Sequence, residues 1–205
     1  MITAAEVCRL TDSLWLWQAY DPSVKSDLFS SAARIGDRLL LIDPIPLAAP
    51  ALEELTLDRG VTAVLVTNLN HPRAAAAFAR QFSAPIYAAE PVTREFGAAN
   101  TVTLAAGQQV APGMTVIAIE GAAPGELAFH FAVDGGTTVI GDALIHLEPY
   151  GFALLPPKYC SSQKEMRRSL RQLLDRPFER LLFAHGTPIL SAARARLEAL
   201  LAADH

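Results

Sequence analysis

The sequence predicts a mixed α/β (α+β) fold in which two mixed sheets pack face to face, with helices on their outer sides. Three observations lead there. Residues 62–66 form a continuous apolar run, followed by a polar turn, an alanine-rich helix and a second short run at 84–88. That order makes a βαβ unit with a parallel pair. Gly36-Asp37 and Gly135-Gly136 each separate two strand-like runs, as hairpin turns do. The second half of the chain repeats the first in outline, with antiparallel strands closed by strand–helix elements. A single domain over 1–205 is expected, since 51% hydrophobic residues in 205 supply one sizeable core.

Each element has its own signal. Leu14-Trp15-Leu16-Trp17 is a short apolar run rich in aromatics, and residues 28–35 and 38–43 flank the first turn as strands, the latter closed by Pro44. Residues 51–59 place Leu52 and Leu55 at helical spacing and stop at Gly60. Pro72 opens the alanine-rich helix, 73–82, at a position where its missing N–H costs little. Strand-like runs follow at 101–104, 114–119, 127–133 and 137–140, and the proline-bearing stretch 148–158 reads as a long surface loop. Residues 162–175 form an amphipathic helix with Met166, Leu170 and Leu173 inward. A strand at 180–184 and a terminal helix at 191–203, capped by Ser191, complete the chain, with His205 set aside at its end.

Composition excludes several classes. With 17 Lys and Arg against 21 Asp and Glu, the net charge is -4 and no basic cluster marks a nucleic-acid binder. The longest uncharged stretch, between Glu95 and Glu120, holds Gly97, Asn100, Gln108, Gln109, Pro112 and Gly113, so no membrane helix is expected. The opening residues lack a basic segment followed by an apolar one, and Cys8 and Cys160 suggest neither a disulfide framework nor a CxxC site. A cytoplasmic setting is expected, with no nucleic-acid or membrane partner, a small-molecule ligand, and a homodimer left open.

Polar groups fall at three strand ends: Asn68-Leu69-Asn70-His71-Pro72-Arg73, Gly141-Asp142-Ala143, and His185-Gly186. Ligands collect outside the carboxyl ends of strands, and an Asp with two His converging there can hold a metal. The plainer readings stand beside this one. His71 falls in a helix N-cap region with Asn70 as the cap, Asp142 closes a turn through its own backbone, and His130 alternates inside a strand with a structural role. His146 stays ambiguous, four residues after Asp142.

The order of these segments resembles the metallo-β-lactamase superfamily. Leu41-Ile42-Asp43 is similar to its early strand and buried Asp, and Asn68-Leu69-Asn70-His71-Pro72-Arg73 sits where it carries HxHxDH. Gly121-Ala122-Ala123-Pro124-Gly125-Glu126 resembles its GHTPGS turn, Gly141-Asp142-Ala143-Leu144 its GDxL segment, and Ala184-His185-Gly186 its terminal GHG segment. The resemblance implies a four-layer αββα sandwich and a hydrolase built around two zinc ions. The departures bear on the chemistry. Asn68, Asn70, Pro72, Arg73 and Ala122 stand where five of the ligands would be, and only Asp142 and His185 remain. Amide, alanine and proline are poor or absent zinc donors, and Arg73 brings a fixed positive charge that, turned inward, would pair with Asp142.

The resemblance therefore implies a degenerate centre. Dinuclear zinc is not expected. His71, Asp142 and His185 are the candidate catalytic and metal-binding residues, holding one divalent ion (zinc, manganese or iron) or none. Without metal, His71 and His185 would act as acid and base, with Asp142 orienting one of them. Asn68, Asn70, Arg73 and Lys158 are expected to line the pocket, with Tyr159 and Cys160 beside Lys158. The function implied is hydrolysis of a small ester or thioester; the alternative is a catalytically inactive binding or structural protein that keeps the fold.

Overall fold

The computed structural model describes residues 2–97, 100–149 and 151–203. His205 lies outside the described residues. The chain opens with four antiparallel strands, β1 (Cys8–Arg9), β2 (Leu14–Asp21), β3 (Ser26–Ile35) and β4 (Arg38–Ile42). Helix α1 (Ala49–Thr56) leads to β5 (Ala63–Leu65), α2 (Ala75–Phe82), β6 (Ile86–Ala88), α3 (Glu90–Phe96) and β7 (Thr101–Thr103). Strands β4 to β7 run parallel, so the first sheet has seven strands in sequential order.

The second sheet is built from β8 (Met114–Ala118), β9 (Leu127–Phe131), β10 (Thr137–Ile140) and, after a separate hairpin of β11 (Leu144–Leu147) and β12 (Gly151–Leu154), α4 (Gln163–Leu170), β13 (Arg180–Phe183) and α5 (Ala193–Ala202). Its order is β13-β10-β9-β8, with β10 and β13 parallel and the remaining pairs antiparallel.

Alternation along the strands creates the layers. In β4, Leu40 and Ile42 face the second sheet, where they meet Val116, Phe129 and Val139; Leu39 and Leu41 face the opposite way and pack with Leu55 of α1 and Phe78 of α2. In β2 the same split sends Leu14 and Leu16 between the sheets and Trp15 and Trp17 outward. The buried Trp17 indole N–H donates to the Ile45 carbonyl at 3.0 Å, which removes the cost of burying it. On the far side, Met166, Leu170, Leu197 and Leu201 of α4 and α5 cover Ile117, Ile140, Leu181 and Phe183. The result is helix, sheet, sheet, helix.

Four expectations change in detail. Residues 148–158 are not all loop, because β12 pairs with β11; the flanking prolines at 149, 156 and 157 hid a four-residue strand. The alanine-rich helix begins at Ala75 rather than Arg73, whose φ of 39° lies in the left-handed region. Ser191 does not cap α5, whose N-cap is Ala192 with no side-chain bond. Helix α4 starts at Gln163 and ends at Leu170, continuing as a 3-10 turn to Asp175; Ser162, expected inside the helix, is its cap, Oγ accepting from the Glu165 amide. His130 is buried in β9, with Nδ1 3.4 Å from Thr138 Oγ1, in the structural role expected of it. Both cysteines are free. Among the described residues, no helix is long and apolar enough to cross a membrane.

Candidate active site

The parallel pairs bring four strand ends to one rim. Strand β4 delivers Asp43, β5 delivers Thr67 and Asn68, β10 delivers Asp142 and β13 delivers His185. Two glycines allow the close approach. A Cβ on Gly141 would come within 2.6 Å of Thr67 Oγ1 and 2.7 Å of Asn68 Nδ2. Gly186, at φ 99°, lets the backbone after His185 lie against that of His146, where any side chain would collide. His146 itself bonds the Thr187 carbonyl through Nδ1 at 2.7 Å and packs edge-on against Phe152 and Phe183, so it clamps the β11–β12 hairpin to the His185 loop.

His71 is the centre of the arrangement. It is not part of a helix cap, and Asn70 caps nothing, because three residues separate His71 from the start of α2. The imidazole is buried between two carboxylates: Nδ1 lies 3.0 Å from Asp43 Oδ2, and Nε2 lies 3.2 Å from Asp142 Oδ1. Asp43 is fixed in turn by the Thr67 amide at 2.8 Å and by the Thr67 hydroxyl. A carboxylate can only accept, so His71 carries its proton on Nδ1 and turns Nε2 inward. There Nε2 has no hydrogen-bond partner of proper alignment, although it is buried.

His185 completes the group. Its Nε2 lies 3.7 Å from the same Asp142 Oδ1, and its ring centroid is 5.4 Å from that of His71. Its Nδ1 is 3.4 Å from Ser26 Oγ at the base of the β2–β3 hairpin. One ligand atom from each of His71, Asp142 and His185 lies within 4.8 Å of the other two.

The other oxygen of Asp142 has a different environment. Asn70 Nδ2 donates to Oδ2 at 3.0 Å and Asn68 Nδ2 at 3.2 Å. Asn68 is oriented by two further bonds: its Oδ1 accepts from the Asn70 amide at 2.8 Å, and its Nδ2 also donates to Glu126 Oε2 at 2.6 Å. Glu126 Oε1 accepts from the Ala143 amide at 3.1 Å. Asn68 is wholly buried behind Asp142, so it supports the site and does not line the cavity as the sequence suggested.

Arg73 also departs from expectation. Its guanidinium is directed at backbone carbonyls, with Nη1 donating to Phe29 at 2.5 Å and to Asp43 at 3.0 Å, and Nη2 to Ala184 at 3.3 Å. It makes no ion pair with Asp142. It ties the ends of β3, β4 and β13 together and lends the rim a positive charge. Asn70, His71, Arg73, Asp142, His185 and Lys158 all line one open cavity of about 1070 Å³, with Lys158 at its edge and its ammonium 4.5 Å above the Tyr159 ring.

Charge follows from this geometry. Burial alone would lower the His71 pKa, but Asp43 and Asp142 outweigh it and push it up to about 9. Burial opposes ionisation of Asp142, yet the charge of His71 close beside it and the Asn70 amide hold it below the usual carboxylate range. His185 is pushed down to about 4 by burial and by the neighbouring His71 cation. Glu126 is pushed up to about 8 by burial and by the charge of Asp142. At neutral pH the site without metal thus holds a proton on His71, a neutral His185 and a protonated Glu126.

The donor sets for one ion and for two differ. Ligands on one tetrahedral ion with bonds of about 2.0–2.1 Å lie about 3.3 Å apart. The 3.2 Å and 3.7 Å separations, the unpaired Nε2 of His71 and the Asp43 carboxylate behind its other nitrogen suit a single metal. Among the described residues this is the one group of three side chains that could hold an ion. The Asn68 and Asn70 amides present N–H groups to Asp142 Oδ2, and Ala122 contributes only a buried methyl.

The family of the chain follows from comparison with known proteins. A family model described as metallo-β-lactamase superfamily matches residues 9–204. The chain belongs to the metallo-β-lactamase superfamily. No curated protein matches it. Among solved structures, a metallo-β-lactamase from Pontibacter korlensis superposes with TM-score 0.73 at 16% identity, covering 97% of this chain and 99% of that one. One from Hirschia baltica gives 0.71 at 13%, covering 98% and 100%. A metallo-β-lactamase family protein from Thermus thermophilus gives 0.66 at 21%, covering 95% and 80%. At such identities the likeness establishes the shared fold, the αββα sandwich of this superfamily.

Sequence reasoning found the three converging residues and, through the resemblance, the buried Asp43, but it did not foresee that Asp43 holds His71 or that Glu126 holds Asn68. Asp43 was visible as a carboxylate closing an apolar strand before Pro44. Glu126, a charged residue entering the apolar strand β9, was a signal that a buried partner had to exist. Its partner, Asn68, lies 58 residues away in sequence.

Proposed function

We propose that this protein is a hydrolase of esters or thioesters that works with one divalent metal ion held by His71, Asp142 and His185. The observation that supports this most is the inward Nε2 of His71, buried and without an aligned hydrogen-bond partner, 3.2 Å from Asp142 Oδ1. Two lone pairs that close repel unless a cation lies with them. A proton on His71 serves that purpose in the metal-free protein, and a metal displaces it when bound.

A bound divalent ion would supply a water acidified toward neutral pH and a charge that polarises a carbonyl. The chain supplies the rest. Asp43 keeps the His71 proton on Nδ1 and the ring in place. His185, neutral at working pH, stands at the cavity wall and faces the incoming substrate. Arg73 keeps the strand ends in register. Net hydrolysis adds water across the acyl bond: hydroxide joins the acyl carbon, the carbon–oxygen or carbon–sulfur bond breaks, and the remaining proton goes to the departing alcohol or thiol.

The test is a screen of ester, thioester and lactone substrates with protein supplied with zinc, manganese or iron, and with chelator-treated protein. Hydrolysis that depends on metal and is lost in His185→Ala, while a distant surface variant such as Leu57→Ser retains it, supports the reading. A protein that binds no metal and turns over none of these substrates is instead the catalytically inactive member of its superfamily.

A further inference from the structure

We propose, resting on the single-metal reading above, that Glu126 is a positioning residue for Asp142, as Asp43 is for His71, so that two of the three proposed ligands each have a buried carboxylate behind them. Glu126 does not line the large cavity. It acts on Asp142 through the Asn68 side chain and through the backbone of residue 143. Partners of this kind fix how a ligand meets its ion.

The first reason is that Glu126 holds Asp142 from three directions. The Asn68 amide bridges the two carboxyl groups, with Nδ2 2.6 Å from Glu126 Oε2 and 3.2 Å from Asp142 Oδ2. The other oxygen, Oε1, accepts at 3.1 Å from the amide of Ala143, the residue after Asp142. On the side before Asp142, a Cβ at Gly141 would come within 2.9 Å of the same Oε1, so the backbone there lies against the carboxyl group. Turning the Asp142 carboxylate would break the Asn68 bond. Kept in place, it presents Oδ1 to His71 and His185.

The second reason is that Glu126 is itself rigidly placed. Its amide donates to the Ala123 carbonyl at 3.2 Å, and its carbonyl accepts from the Ile119 amide at 2.9 Å. The next amide, of Leu127, donates at 2.7 Å to the carbonyl of Thr67, so the start of β9 is tied across to the segment after β5. Thr67 also fixes Asp43 through its amide and hydroxyl, and its neighbour Asn68 receives Glu126. Two adjacent residues thus serve the two supporting carboxylates. The third reason is cost. Glu126 is 3% exposed at the entry to an apolar strand, and a carboxyl group in such a place is expensive to bury unless all its partners are present. A small apolar residue would begin the strand without that cost; what the carboxyl group adds is orientation.

The experiment uses the purified full chain and Glu126→Gln, which keeps the shape but turns one acceptor oxygen into a donor. Glu126→Asp, which withdraws the carboxylate by one methylene, is read in the same way should the first variant not fold. Zinc affinity is measured by competition with a chelator, and the visible spectrum of cobalt(II)-loaded protein reports ligand geometry. Ser169→Ala is the control, because the buried Ser169 hydroxyl joins the Glu120 amide to the Ala118 carbonyl away from the site. Glu126→Gln is expected to lower zinc affinity by about threefold to tenfold, less than the ~10–100-fold of a partner bonded directly to a ligand, and to change the cobalt spectrum. Ser169→Ala should lower the urea midpoint and move neither. Wild-type affinity and spectrum in Glu126→Gln overturn the proposal and leave the single-metal reading standing. If the wild-type chain binds no metal, that reading fails, and the urea midpoints of metal-free Glu126→Gln, Asp142→Asn and the double variant decide. A double loss clearly smaller than the two single losses added supports the hold of Glu126 on Asp142, and an additive loss overturns it.

Discussion

The two oxygens of Asp142 face opposite kinds of chemistry. Oδ1 meets two imidazole nitrogens, at 3.2 Å from His71 and 3.7 Å from His185, on the side open to the cavity. Oδ2 meets two amide N–H groups, from the exposed, cavity-lining Asn70 at 3.0 Å and from the buried Asn68 at 3.2 Å. Both arrangements stabilise the same negative charge. Imidazole nitrogens can exchange a proton for a metal, whereas the amide NH2 groups turned to Oδ2 can only donate, so the first side is the candidate for chemistry and the second is a hydrogen-bond network. Within that network the buried Asn68 and Glu126 satisfy each other, where either alone would be left without a partner.

The comparison is broken most completely at its shared residue. Asp142→Ala removes both sides at once and is expected to abolish metal retention and reduce hydrolysis to the level of buffer; elemental analysis and the ester assay read these. The open side alone is probed by Asp43→Asn, which leaves His71 in place but weakens the carboxylate behind its Nδ1. Metal affinity should fall by about 10–100-fold, read by competition with a chelator. The closed side alone is probed by Asn68→Ala, which strands Glu126 Oε2. It should cost about 1–3 kcal/mol in urea unfolding, and change metal affinity less than Asp43→Asn does.

The remaining expected effect is in pH. His71 and Glu126 both have folded pKa values above their ordinary ones, at about 9 and about 8. The stability His71 contributes is complete below pH 6.5 and lost as pH rises through about 9; that of Glu126 is complete below about 4.5 and lost through about 8. The urea midpoint of metal-free protein should therefore fall between pH 6.5 and 9. Metal requires His71 without its second proton, so loading should flatten the decline. An equal slope in both forms would show that the metal does not compete with that proton.

Much of this was legible in the sequence, and for definable reasons. The Gly36-Asp37 and Gly135-Gly136 turns and the apolar runs of β4, β5 and β9 are local signals, and local signals fixed the strand pairs they join. Helix α3 went unread because it spans seven residues and carries Pro91, with its N-cap at Ala89 and no side-chain cap. Strand β12 was hidden among prolines. In the site, Asp142 and His185 were legible because each directly follows an apolar strand. The assignment of His71 to a helix cap was a local reading overridden by tertiary structure: Asp43, 28 residues earlier, holds the ring inward. The Glu126–Asn68–Asp142 network joins segments from both sheets, and no window of sequence contains it.

The central claim is that Asp142 Oδ1, His71 and His185 hold one metal ion, while the amide side excludes a second. The most direct measurement is elemental analysis, with anomalous diffraction at the metal edge, of protein purified without chelator or polyhistidine tag. The expected result is one equivalent of metal per chain, with a single peak between those three side chains. A pair of peaks spanning both oxygens of Asp142, or none after incubation with zinc, manganese and iron, would contradict it.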